Sequence, residues 1–196
     1  MNVDRLRTGR LVAIGLETTT GIPPQITEIA MMYVDRGVIT AGPFDYRVQP
    51  DAPMAEIGPR ARSHMRTASM WRDVAEQILL GVAGRIPVTH VAGRLRILHH
   101  HLPDWQPPEA VYTRQLAEIA LPGLSSYDLE RVSQAAGFDL LPRYGYGAVV
   151  EAQTVALLLP ILLRRAPGAG RPGAGSGGAR HAARQGRTHS REGEGC

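Results

Sequence analysis

The chain has 196 residues, which is enough for one ordinary domain with its own core plus an additional segment. Its hydrophobic content of 43% and net charge of +4 exclude a chain too polar to fold. The only cysteine is Cys196, so no internal disulfide can form. The N-terminus lacks the apolar segment of a secretory signal, and the longest apolar run, residues 155–163, is too short to span a bilayer. We therefore expect a soluble, cytoplasmic protein with no membrane partner.

Two regions of different composition divide the chain. Residues 1–165 carry nearly all of the large apolar side chains, which predicts a single folded domain. Residues 166–196 are rich in Gly, Ala and Arg and cannot bury enough surface to offset the entropy of ordering, so we expect a disordered tail. A basic tail can bind nucleic acid by releasing counterions, although basic disordered ends are also common without that role.

The first predicted elements are three strands. Residues 11–16 form an apolar run of strand length. Residues 26–34 favour a second strand, although their Glu-Ile-Ala-Met-Met core is also compatible with a helix. Residues 44–48 alternate apolar and polar side chains, which predicts a half-exposed third strand that ends at Pro50 and Pro53.

The hydrophobic period then changes to that of a helix over residues 70–82. Residues 125–128, Ser-Ser-Tyr-Asp, have the spacing of a capping box and predict the start of a helix that runs to Ala136. A three-strand antiparallel meander followed by alternating helices and strands predicts one α/β domain with a mixed sheet. The remaining predicted elements are strands at 86–91 and 111–113 and helices at 95–102, 115–120 and 148–163, the last disturbed by Pro160.

Four short motifs follow one another along the predicted domain. The first spans residues 14–21, Ile-Gly-Leu-Glu-Thr-Thr-Thr-Gly, and is followed by Ile-Thr-Glu-Ile-Ala at 26–30. Val-Thr-His-Val-Ala at 88–92 and Tyr-Gly-Ala-Val-Val-Glu-Ala at 146–152 come later. In order and spacing these motifs resemble those of the DEDD-type, DnaQ-like 3′–5′ exonucleases, in the branch with His-type spacing. The resemblance implies a ribonuclease-H-like α/β fold and a nucleic-acid ligand.

Members of that family cleave a phosphodiester with two divalent ions about 4 Å apart, held by carboxylates, and with a His or Tyr general base. By resemblance, the first and third acids align with Gly15 and Leu95, which offer no ligand. Glu17 and Glu151 align with the other two acids, and Tyr146 aligns with the general base. The resemblance therefore implies no efficient two-metal hydrolysis and no required cofactor, with Glu17 and Glu151 at most a weak Mg²⁺ or Mn²⁺ site.

Each of these residues also has a purely structural interpretation. Glu17 is equally typical of a solvated or hydrogen-bonded acid at a strand end, and Glu151 of a charge on a helix surface. Tyr146 is more typical of a loop anchor than of a base. The run 99–101 of three histidines does not predict a metal site, because adjacent residues on a helix point in different directions.

Three functional hypotheses remain open. The leading one is a degenerate exonuclease that still binds a single strand or its 3′ end, because Arg94 and Leu95, in place of an aromatic and an acid, make the site less negative. The second is an active exonuclease in which Asp104 or Asp128 completes a rearranged ligand set. The third is a protein-interaction module with the same fold. The candidate nucleic-acid contacts are Thr18, Thr19, Thr20, Gly21, His64, His90, Arg94 and Arg96.

Overall fold

A computed structural model describes residues 3–107, 109–138 and 147–166. Within them, one six-stranded mixed sheet has the order β4-β3-β2-β1-β5-β6. The strands are β1 (Arg10–Thr18), β2 (Ile26–Asp35), β3 (Val38–Gln49), β4 (Ser69–Met70), β5 (Ile86–Thr89) and β6 (Val111–Tyr112). The helices are α1 (Val3–Thr8), α2 (Pro59–His64), α3 (Trp71–Val82), α4 (Ala92–His101), α5 (Thr113–Ala120), α6 (Leu129–Ala136) and α7 (Ala148–Arg165).

The strand pairing confirms the predicted mixed α/β architecture. β1 and β2 pair antiparallel, as do β2 and β3, which gives the expected meander. β5 pairs parallel with β1, and β6 pairs parallel with β5. The C-terminal ends of β1, β3 and β5 therefore lie at one end of the sheet, together with the start of β2.

The central strands are apolar because both sheet faces are covered. Side chains alternate across β1, so Leu11 and Ala13 pack into one core with α5, α6 and α7. Val12, Ile14 and Leu16 point the other way and pack against α3 and α4. The same burial explains why residues 26–34 form a strand although their pattern also allowed a helix: β2 is buried on both faces between β1 and β3.

Several predicted boundaries were wrong. The largest difference is in β3, which begins at Val38 and not at residue 44. Helix α6 begins at Leu129, because the side chain of Asp128, not of Ser125, accepts the N–H of Arg131 at 2.8 Å and caps the helix. Helix α7 continues past Pro160 to Arg165, two residues beyond its predicted end. Within the described residues, no helix is long and apolar enough to cross a membrane. The predicted tail lies outside the described residues from position 167 onward, so its disorder stays a prediction.

Candidate functional site

The carboxylate of Glu151 is fixed at the C-terminal end of β1. β5 pairs with β1 only over residues 11–13. Beyond that pairing, the N–H of Leu16 donates to Oε2 of Glu151 at 3.0 Å. Nε of Arg94, on the first turn of α4, donates to Oε1 of the same carboxylate at 3.1 Å. Both oxygens of Glu151 are thus used within the protein, one by backbone and one by a cation.

Glu17 lies beside this ion pair but is not part of it. No hydrogen bond or ion pair engages its carboxylate among the residues that the structure describes. Burial raises the pKa of Glu17, and the neighbouring Arg94 offsets part of that rise. Burial also raises the pKa of Glu151, again opposed by Arg94. The two acids face a cleft of about 210 Å³ that is lined by Glu17, His90, Val91, Arg94, Leu129, Gly147 and Glu151.

A third glutamate and a second arginine adjoin this cleft, and neither was predicted as a site residue. Glu28 on β2 lies directly opposite Glu17 in the strand register. Like charges directly opposite one another in a sheet are destabilising. The buried Glu28 is paired with Nε of Arg60, on α2, at 3.4 Å. The site therefore contains three glutamates and two arginines, a net charge of −1 when all are ionised.

Gly15 allows α7 to pack directly on β1. An ideal Cβ at this position would lie 2.7 Å from the N of Ala152 and even closer to the carbonyl oxygen of Ala148. Any side chain at position 15 would displace the first turns of the helix that carries Glu151. The position where the resembling family has its first acid therefore has neither a ligand nor room for one.

The loop after β1 is bonded within the protein at the candidate residues Thr19 and Thr20. The N–H of Thr19 donates to the carbonyl of Gln25 at 2.8 Å, and the N–H of Thr20 donates to the carbonyl of Glu56 at 2.9 Å. The carboxylate of Glu56 packs over Gly21, at the place a Cβ would occupy. Thr20 is nevertheless exposed and Thr18 is half-buried, so both keep surface that a ligand could contact.

His90 lines the cleft, but its polar atoms are used elsewhere. Nε2 lies 2.9 Å from the carbonyl oxygen of Tyr127 and must donate to it. Nδ1 therefore accepts from the hydroxyl of Thr113 at 3.0 Å. Burial lowers the pKa of His90, which keeps the ring neutral. The histidine joins β5 to α5 and to the loop before α6, and this role differs from the predicted nucleic-acid contact.

We expect His90→Ala to lower the free energy of unfolding by about 2–3 kcal/mol, because the Thr113 hydroxyl and the Tyr127 carbonyl would both lose their buried partner. His64→Ala, at a half-exposed histidine, should change it by less than about 0.5 kcal/mol. Urea unfolding of both variants measures the difference. Equal losses would show that the buried hydrogen bonds of His90 contribute nothing.

The remaining candidates are dispersed. His64 ends α2 near Asp45 and does not line the cleft. Arg96 is exposed on α4, two residues beyond Arg94 and outside the cleft lining. Leu95 is buried in the core against β1. Tyr146, the predicted position of the general base, lies outside the described residues.

The donor set does not fit a pair of divalent cations. Of the two carboxylates predicted as ligands, Glu151 is already bonded to a guanidinium, and position 15 supplies nothing. Asp128 caps α6, and Asp104 is exposed in the turn after α4. Among the described residues, no group of three or more His, Cys, Asp or Glu side chains is arranged to hold a metal ion.

No protein-family model and no curated protein matches this sequence. Solved structures do match. E. coli Exonuclease I in complex with a 5cy-dA13 oligonucleotide has a TM-score of 0.62 and 15% identity, over 83% of this chain and 42% of that chain. The cell-death related nuclease 4 (CRN-4) has a TM-score of 0.54 and 16% identity, over 81% of this chain and 64% of that chain.

The chain has the ribonuclease-H-like exonuclease fold. The six-stranded mixed sheet with helices on both faces matches these neighbours and confirms the fold predicted from the motifs. The chain spans less than half the length of Exonuclease I. At 15–16% identity, these similarities establish the fold alone.

Proposed function

We propose that this protein binds single-stranded nucleic acid at the cleft between Glu17 and Arg94, and that it does not hydrolyse the strand by a two-metal mechanism. The observation that carries the proposal is the 3.1 Å bond between Arg94 and Glu151. A fixed guanidinium there neutralises a carboxylate that a nuclease would use for metal binding. The proposal leaves the choice between DNA and RNA open.

The cleft cation is still able to contact a phosphate. Arg94 is 31% exposed, and only its Nε is hydrogen-bonded to a described residue. Its terminal N–H groups point a planar donor array at any anion in the cleft, the geometry that suits phosphate. Arg60, 44% exposed and paired with Glu28, provides a second positive charge near Glu17.

The fold neighbours support this ligand class. Crystal structures of E. coli Exonuclease I, a protein with this fold, contain 5cy-dA13 and dA16 oligonucleotides. We extend only the ligand class to this chain. The rest of Exonuclease I, which this chain does not match, supplies no argument here.

The Arg94→Ala variant tests the proposal. We expect the affinity for a labelled single strand to fall roughly tenfold, because a charge-assisted contact is lost and Glu151 is left without its cation. The slope of log K against log salt should become shallower by about 0.7 if Arg94 neutralises one phosphate. Fluorescence anisotropy at four salt concentrations measures both quantities.

Arg10→Ala is the matched control. Arg10 is exposed at the start of β1, at the opposite end of the sheet from the cleft. It removes the same charge, so it should leave the affinity nearly unchanged. An equal loss in both variants would mean that the chain attracts nucleic acid only through its overall positive charge, and would contradict binding at the cleft.

An active exonuclease remains the alternative. It requires a rearranged ligand set around Glu17 and Glu151, and neither Asp104 nor Asp128 lines the cleft with them. A protein-interaction module is the interpretation that a complete absence of nucleic-acid binding would favour.

A further inference from the structure

A separate cavity of about 280 Å³ opens on the other face of the sheet, where β3 ends and α3 begins. Its walls are mainly apolar and include Ile26, Val48, Pro50, Met70, Trp71 and His101. Its volume is near the lower end of cavities that hold small ligands, roughly 300 Å³. Neither the fold nor the cleft requires this opening.

Two aromatic rings form one side of the cavity. The rings of Trp71 and His101 are 4.9 Å apart between centroids and tilted by 52°. Both side chains are half-buried and line the cavity, so each presents part of its surface to a ligand there. Burial lowers the pKa of His101, which keeps its ring neutral near pH 7. An apolar cavity with uncharged aromatic rings suits a flat aromatic ligand.

The cavity lies at the same end of the sheet as the cleft. The loop of residues 19–25 follows the end of β1, where Glu17 lines the cleft, and ends at Gln25, which lines the cavity. Nε2 of Gln25 donates to the carbonyl of Asp51 at 2.8 Å and fixes this end of the loop. Between the two openings, the side chain of Ile22 is 99% exposed. The path over the loop thus presents an apolar surface.

The rim of the cavity carries one well-exposed cation. The side chain of Arg72 is 82% exposed, and its ion pair with Asp73 is long, at 3.7 Å. The cavity is also lined by Asp51, which would repel an anion. An anion is therefore attracted only on the α3 side, beside Arg72. If Arg72 contacts the phosphate of a nucleotide, the base of that nucleotide can enter the cavity.

We propose that this cavity is a second base-binding subsite, in which a nucleobase of the same single strand stacks against Trp71 and His101. The strand would run from the cleft over Ile22 to the cavity. The inference rests on the proposed function, because it requires a strand whose end lies in the cleft. Aromatic stacking of this kind tolerates any base, since every base has a π-face.

Oligonucleotides with one abasic position test the subsite without altering the protein. We expect one internal position, several nucleotides from the 3′ end, at which base removal weakens binding roughly 5- to 100-fold. The Trp71→Leu variant should bind the intact strand with an affinity lowered by the same factor. Removing the base at that internal position should then weaken its binding no further. Strands too short to reach the cavity should bind both proteins equally.

Tryptophan fluorescence gives an independent reading. The chain contains two tryptophans, and Trp105 is buried at 7% exposure, so quenching by a bound base reports on Trp71. We expect quenching by long strands and none by short ones. Met70→Ala, at an exposed residue of the same wall, provides a second variant if Trp71→Leu fails to fold.

The failures are distinguishable. If short and long strands bind equally well and no internal base matters, the subsite is wrong while the cleft proposal stands. If no strand binds at any length, both proposals are wrong.

Discussion

An acid introduced at position 15 should destabilise the protein and should not produce a nuclease. We expect Gly15→Asp to lower the free energy of unfolding by about 3 kcal/mol or more, because its Cβ would overlap the backbone of α7 at Ala148 and Ala152. The added carboxylate would also join Glu17, Glu28 and Glu151 in a site that is already net negative. Chemical denaturation measures the loss, and incubation of the variant with a labelled strand and Mg²⁺ tests for activity.

Two glycine variants separate the steric cause from the electrostatic one. Gly15→Ala introduces the same Cβ without charge and should retain most of the loss. Gly58→Ala adds a Cβ where no atom lies within 4 Å, so it should change the free energy of unfolding by less than about 0.5 kcal/mol. A Gly15→Asp variant as stable as the wild-type protein would contradict the close packing of α7 on β1.

Removing the charge of Glu17 should strengthen nucleic-acid binding. In a metal-dependent nuclease this substitution would remove a ligand. Here the carboxylate forms no hydrogen bond or ion pair with a described residue and repels phosphate, so Glu17→Gln should raise the affinity roughly tenfold, about 1.4 kcal/mol. The same titration with Glu76→Gln, an exposed glutamate on α3, controls for net charge. Weaker binding by Glu17→Gln would show that this acid contacts the ligand favourably.

The same carboxylate predicts a pH dependence. Burial raises the pKa of Glu17, so its proton is taken up at a higher pH than in an unfolded chain. As the pH falls toward that raised pKa, the negative charge is lost and the affinity of the wild-type protein should rise. The Glu17→Gln variant should show a flatter profile over the same range. Glu151 titrates in the same direction, so the variant should retain part of the slope.

The elements that could be predicted are those whose form does not depend on packing against residues distant in the sequence. The first strand was predictable from its apolar run, whereas the pattern of β2 also allowed a helix until its burial between β1 and β3 was known. The exposed first half of β3 has no apolar alternation that marks its start at Val38. The start of α6 was not, because Ser125 and Asp128 are both good capping residues and only the path of the preceding loop selects Asp128. Pro160 does not end α7, because tertiary packing of its apolar residues outweighs the local penalty.

The site was predictable in part. Glu17, Arg94 and Glu151 lie within recognisable motifs, and the structure brings them together. Strand alternation alone does not place Glu28 in the site. Its position opposite Glu17 depends on the register of β1 and β2, which the sequence does not show. Arg60 could not be predicted as a site residue, because the path of the chain from β3 to α2 determines where its guanidinium lies. The partners of the His90 ring could not be predicted, because both belong to distant segments, and its contact with nucleic acid stays a prediction.

The most direct test is an anisotropy time course with a 5′-labelled single strand, recorded in EDTA and in Mg²⁺. We expect a salt-sensitive rise of equal size in both buffers that then stays constant, because binding needs no metal and the strand is not shortened. A rise in Mg²⁺ that decays with time, and no decay with Glu17→Ala, would show a working nuclease and contradict the proposal. No rise in either buffer would contradict nucleic-acid binding itself.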